Sequence, residues 1–95
     1  MNRRAQSPDA SDYKRVFKGL VLLTLEKLGG DLVTLSELRR NLSAPRKDID
    51  DALLALERDR KISLSIAQSP YMLGERRKDG IEREGRGLLY YATVK

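Results

Sequence analysis

At 95 residues the chain has room for one domain, and a domain of that size buries only about 60–65% of the surface its unfolded form exposes. Cysteine and histidine are both absent, which excludes disulfides, thiolate metal sites, the commonest general base and the Ser–His and Cys–His nucleophile pairs. Lys and Arg number 19 against 14 Asp and Glu, and the net charge of +5 favours a polyanionic partner, although ordinary solubility also explains a charge of that size.

Residues 1–10 are polar, contain Pro8 and carry Arg3 and Arg4, so they read as a disordered basic arm ahead of a single domain over residues 11–95. Met1 to Asp12 has no apolar stretch of the kind a signal peptide needs. The longest apolar run, Gly19 to Leu25, is far below the roughly 20 residues of a membrane span. A cytoplasmic chain with no membrane partner is the expectation.

A first helix is predicted from about Ser11, as N-cap, to Leu28. Tyr13, Val16, Phe17 and Leu20 fall at i, i+3, i+4, i+7, and Val21, Leu25 and Leu28 continue the stripe. Leu22 and Leu23 widen it beyond one face, which suits a central helix or one with a second contact on a partner subunit. Gly29-Gly30 supplies the stop. Leu32-Val33 reads as short and extended.

Thr34-Leu-Ser-Glu37 is a capping box opening a short second helix, Leu35 to about Asn41, that buries Leu35 and Leu38. Asn41 to Pro45 is a tight break with Leu42 in its middle. A third helix spans about Pro45 to Lys61, with Ile49, Ala52, Leu53 and Leu56 inward and Leu54 on the other side. Ile62 to Ala67 alternates as a strand does, and Leu88 to Lys95 is rich in β-formers. Either Tyr90 or Tyr91 faces inward. The intervening loop, Gln68 to Gly87, is too long to be without structure, so Tyr71, Met72, Leu73 and Ile81 should anchor it around a helical turn near Leu73 to Asp79.

The order helix, short strand, helix, turn, helix, strand, basic loop, strand resembles the winged-helix branch of the helix-turn-helix superfamily. The resemblance runs from about Ser11 to Lys95 and is most specific over Leu35 to Ile62. There a short helix, a tight turn and a helix with Ile-x-x-Ala-Leu-x-x-Leu-Glu precede the apolar residue Ile62 that opens the next strand. Many members carry glycine just before that strand, where this chain has Arg60-Lys61. The resemblance implies an α+β fold, a three-helix helix-turn-helix core with a small antiparallel β-wing. It implies a function in holding double-stranded DNA, as a small transcriptional regulator or DNA-binding accessory factor.

The residues that would carry such binding follow from the chemistry of phosphate and base edges. A helix N-terminus attracts phosphate, and Ser43, Arg46 and Lys47 lie at the start of the third helix, with Asp50 near the face that would approach the groove. Arg39 and Arg40 on the second helix are within reach of phosphate, and Arg76, Arg77, Lys78, Arg83 and Arg86 suit a wing on the backbone. Against this, Pro45 to Lys61 holds five charges of each sign, and Gly74 to Gly87 holds five basic and four acidic residues. The competing reading is therefore a protein–protein interaction module or a subunit of a larger nucleic-acid-handling complex, supported by that neutrality and by Leu54. Ser63 and Ser65 read as the wet face of a strand. Asp48 and Asp51 share a side of the helix while Asp50 diverges, so the three do not read as a cation site, and neither catalysis nor a cofactor is expected. A homodimer fits the apolar girth of the first helix around Leu22 and the two-fold symmetry of palindromic sites.

Overall fold

The computed structural model describes residues 10–95, and the arm read in residues 1–10 lies outside them except for Ala10, which opens the first helix. The fold is α+β. Helix α1 (Ala10–Lys27) leads through strand β1 (Val33–Thr34) into α2 (Leu35–Arg40) and α3 (Arg46–Arg58). Then come β2 (Ile62–Ile66), a 3-10 segment (Pro70–Asp79), β3 (Ile81–Arg83) and β4 (Gly87–Val94). No helix among the described residues is long and apolar enough to cross a membrane.

Strand β4 organises the antiparallel sheet. Ala92 pairs with both Val33 of β1 and Leu64 of β2, so those strands flank it on opposite sides. Leu89 pairs with both Ile66 of β2 and Ile81 of β3, which puts β3 on the β1 side. β2 is irregular between Ser65 and Ile66. A bulge there breaks the expected alternation, turning Ile66 outward and Ala67 inward.

The core joins α1, α3 and the sheet. Phe17, Val21 and Leu25 of α1 meet Ile49, Ala52, Leu53 and Leu56 of α3, with Leu35 and Leu38 of α2 and Ile62, Leu64, Leu89 and Ala92 of the sheet. Leu42 and Leu54 are half-buried against this cluster, so Leu54 is not the exposed residue that the sequence pattern suggested. The stripe read on α1 divides. Phe17, Val21 and Leu25 are buried, whereas Tyr13, Val16, Leu20 and Leu23 stay at least 47% exposed. Truncating a core leucine such as Leu53, fully buried here, costs roughly 2–5 kcal/mol in comparable sites.

Local chemistry explains most boundaries. The Glu37 amide donates to Thr34 Oγ1 at 3.1 Å, as the capping box predicts. α1 already includes Ala10, so Ser11 lies inside the helix rather than capping it. Pro45 is the extended residue before α3, not its first turn. Leu32 adopts a left-handed φ of 49° rather than an extended one. Tyr90, not Tyr91, faces inward.

Helices α1 and α3 end in the same way. Gly30 donates to the Leu25 carbonyl and Gly29 to Glu26, with Gly29 at φ 111°. Lys61 donates to Leu56 and Arg60 to Glu57, with Arg60 at φ 63°. Both are Schellman turns, in which the residue after the cap must be left-handed. Glycine fills that position after α1, but an arginine fills it after α3, where an L-residue costs roughly 1–2 kcal/mol. Arg60→Gly should therefore stabilise the fold by roughly 0.5–1 kcal/mol, part of the gain being lost to glycine's freedom in the unfolded chain. Thermal unfolding should show a rise of roughly 2–8 °C; a fall would mean that the Arg60 side chain contributes more than its backbone costs.

Candidate nucleic-acid interface

The turn between α2 and α3 fixes the start of α3. Asn41 Nδ2 donates to the Glu37 carbonyl at 2.8 Å, and Leu42 tucks against the core. The Pro45 carbonyl accepts the amides of Asp48 and Ile49. The first amides of α3 have no turn before them to bond to, so the helix presents its positive end there.

A chain of polar contacts ties the 3-10 segment to this end. The Tyr90 hydroxyl meets Ser36 Oγ at 2.7 Å, and Ser36 donates to Asp79 Oδ2 at 2.7 Å. Arg39 Nε donates to the Asp79 carbonyl at 2.8 Å, and Arg39 Nη2 pairs with Asp50 Oδ1 at 2.6 Å. Asp50 Oδ2 lies 3.4 Å from Arg46 Nε. Arg46 then donates to the carbonyls of Lys78 and Gly80. Gly80 is required by space. A Cβ there would stand 2.8 Å from both Leu88 Cδ1 and the Leu89 carbonyl oxygen.

This arrangement sorts the residues expected at the interface. Arg39 is 12% and Asp50 21% exposed at the side chain, and each is bonded to a neighbour, so both serve the clamp rather than an open face. Arg46 is half-exposed but committed to Asp50 and two backbone carbonyls. Ser43, Arg40 and Lys47 are exposed, Lys47 carrying an i,i+4 pair with Asp51 at 2.9 Å. That pair holds the Asp51 carboxyl below its usual range and raises the Lys47 ammonium, the shared hydrogen bond being the main cause of both.

Arg76, Arg77 and Lys78 do not lie on a hairpin tip. They occupy the exposed second half of the 3-10 segment, beyond the break at Gly74. Arg46, Arg77 and Lys78 line one shallow basin of about 590 Å³, together with Glu75 and Glu82. The hairpin proper is β3–β4, and it carries Arg83 and Arg86. Arg83 is exposed. Arg86 is paired with Glu57 through both terminal guanidinium nitrogens at 2.8 and 2.9 Å and donates to the Leu64 carbonyl. The hairpin arginine is thus pinned to the far end of α3, away from the basin. The anchors expected in the loop also divide, with Ile81 buried and Tyr71 and Met72 exposed at 77% and 70%.

Sequence reasoning missed Ser36, Asp79, Glu57 and Tyr90 as the groups that position these cations. The bonds that tie them to these cations and to one another span 29 to 54 residues of the chain, beyond the reach of any spacing rule. The only local sign was Ser36, a small polar residue between two core leucines. No family model, curated protein or solved structure matches the chain.

The Glu57–Arg86 pair makes a pH prediction. The Arg86 guanidinium holds the Glu57 carboxyl below its ordinary value of 4.5, and the Leu64 amide adds to the effect against an opposing push from burial. A carboxyl whose folded pKa lies below its unfolded one stabilises the fold above the unfolded value, and loses that contribution as pH falls through the folded one. Glu57→Gln should therefore be less stable than wild type at about pH 6, and the gap in chemical unfolding should close towards about pH 3. A gap of constant size would show that the ionised pair is not its source.

Proposed function

We propose that the chain is a winged helix-turn-helix protein that binds double-stranded DNA, with α2, the turn and α3 as the helix-turn-helix and β2, the 3-10 segment, β3 and β4 as an elaborated wing. The order of the elements and the antiparallel sheet support that reading of the fold. The observation that carries the function is the convergence of cations from two separate stretches: Arg46 at the start of α3, and Arg77 and Lys78 of the 3-10 segment, around one basin, with Arg76 and Lys47 exposed close by in sequence.

The chemistry favours phosphate over base edges. Asp50, the acceptor a cytosine amino group would need, is taken by two arginines, and Asp51 is taken by Lys47. The outward side of α3, with Lys47, Asp51, half-buried Leu54 and Arg58, enters the major groove. The cations of the 3-10 segment hold the flanking backbone. Recognition is then mostly of backbone and shape, as befits an accessory factor or a small regulator with modest sequence preference. The role is binding rather than catalysis, and the cytoplasm is the compartment. A protein-contact module is the second reading, and the exposed apolar residues of α1 favour it.

Fluorescent duplex DNA titrated at about 50 and about 200 mM salt tests the proposal. With about four phosphates neutralised, affinity should fall on the order of 100-fold across that range. Replacing Arg76, Arg77 and Lys78 together by Ala should flatten the slope of log affinity against log salt by roughly 2 to 3. Absence of binding at about 50 mM salt overturns the DNA reading in favour of the protein-contact one.

A further inference from the structure

We propose that Arg60 and Lys61, just past the far end of α3, make a second phosphate contact on the same duplex, on the opposite wall of the major groove from the 3-10 segment. This deepens the DNA reading and rests on it.

Arg60 stands at φ 63°, at a position of the Schellman turn that favours glycine and that Gly29 fills after α1. Nothing inside the fold offsets the cost of that conformation, because the Arg60 side chain has no hydrogen bond or ion pair among the described residues. A left-handed residue other than glycine, whose side chain the fold does not use, points to a use outside the fold. Neutralising the end of the helix is not that use. Basic residues near a helix C-terminus ordinarily answer its free carbonyls. Here the Ala55, Leu56 and Glu57 carbonyls already accept the amides of Asp59, Lys61 and Arg60, and neither basic side chain bonds to them.

The carboxylates next to the turn in sequence, Glu57 and Asp59, are both engaged. Glu57 holds Arg86, and Asp59 meets Lys18 at 2.9 Å and Arg58 at 3.8 Å. The Lys18 hydrogen bond holds the Asp59 carboxyl below its usual range, and Arg58 and Lys61 add to the effect. Arg60 and Lys61 are left exposed, with no hydrogen-bonded or ion-paired partner for either side chain among the described residues. The Lys95 amide donates to the Lys61 carbonyl at 3.0 Å, which sets the end of β4 beside the turn.

Length separates the two contacts. α3 has 13 residues, roughly 20 Å of axis, against a major groove about 12 Å wide. A helix lying across that groove reaches both of its walls. Arg46 and the cations of the 3-10 segment share the basin at one end of α3, and Arg60 and Lys61 follow the other end. Of about four phosphates neutralised, the 3-10 segment accounts for about three, and this turn supplies the remaining one.

Arg60→Gly separates binding from folding, because the change that should raise the melting temperature should also weaken binding. With the fluorescent duplex at about 50 mM salt, its affinity should fall roughly five- to fifteenfold, and the slope of log affinity against log salt should flatten by roughly 0.5 to 1. Arg60→Lys keeps the charge on the same backbone and should bind as the wild type does. Lys61→Ala should flatten the slope in the same direction, and it decides the matter should Arg60→Gly disturb the turn. Donor- and acceptor-labelled duplexes mixed with the wild type should show no energy transfer. Transfer that Arg60→Gly abolishes would place the contact on a second duplex and overturn the single-groove arrangement. An Arg60→Lys variant as weak as Arg60→Gly would assign the loss to the turn rather than the charge, and so overturn the proposal. Wild-type binding with an unchanged slope in both Arg60→Gly and Lys61→Ala overturns it too and leaves the DNA reading standing, whereas absence of wild-type binding at about 50 mM salt removes both.

Discussion

The position of the proposed DNA-binding cations depends on the Arg39–Asp50 ion pair and the polar chain built around it. α2 and α3 alone would present an ordinary helix start with charges of both signs. The 3-10 segment alone would be ten residues in which glycine, charge and poor helix geometry leave little to hold it in place. Asp50 takes one arginine from α2 and one from α3, and those arginines hold the backbone of the 3-10 segment at Asp79, Lys78 and Gly80. Tyr90 and Ser36 anchor the other end of the chain in the sheet and α2. The carbonyls of Lys78, Asp79 and Gly80 face the protein, and Arg76, Arg77 and Lys78 are left exposed.

Such a clamp is a poor source of net stability. Arg39 and Asp50 are largely withdrawn from water, and the cost of that withdrawal offsets much of their attraction. Loss of one partner is another matter, since it strands the other with its charge unmatched. The clamp is better understood as a device that selects one placement of the 3-10 segment from the many a charged, glycine-containing loop could adopt. It also explains why a stretch as evenly charged as Pro45 to Lys61 is compatible with binding a polyanion. Two of the acidic residues that cancel its charge are consumed by arginine and lysine partners, while Arg76, Arg77 and Lys78 extend beyond them.

Much of the scaffold was legible because its causes are local. The apolar spacing of Ile49, Ala52, Leu53 and Leu56, the Thr34 cap and the Gly29 stop each depend on neighbours within a turn or two. The site was less legible. Arg39, Arg46 and Arg86 read as free cations, yet each finds a partner brought in by the tertiary fold. α1 offered more apolar residues than one core can take, and no local rule says which four remain outside. β3 was missed because three residues with one inward side chain, Ile81, carry no alternation to detect.

Amide hydrogen exchange in wild type and Asp50→Ala tests the clamp directly, without reference to any ligand. In the wild type the Met72 and Gly80 amides, bonded to Ser69 and Arg77, should be protected, as should Ala67, bonded to Leu88 across the sheet. Removing the Asp50 carboxylate should accelerate exchange at Met72 and Gly80 by about tenfold or more while Ala67 holds. Unchanged exchange throughout the 3-10 segment would contradict the account, since the segment would then be held by something other than the polar chain described here.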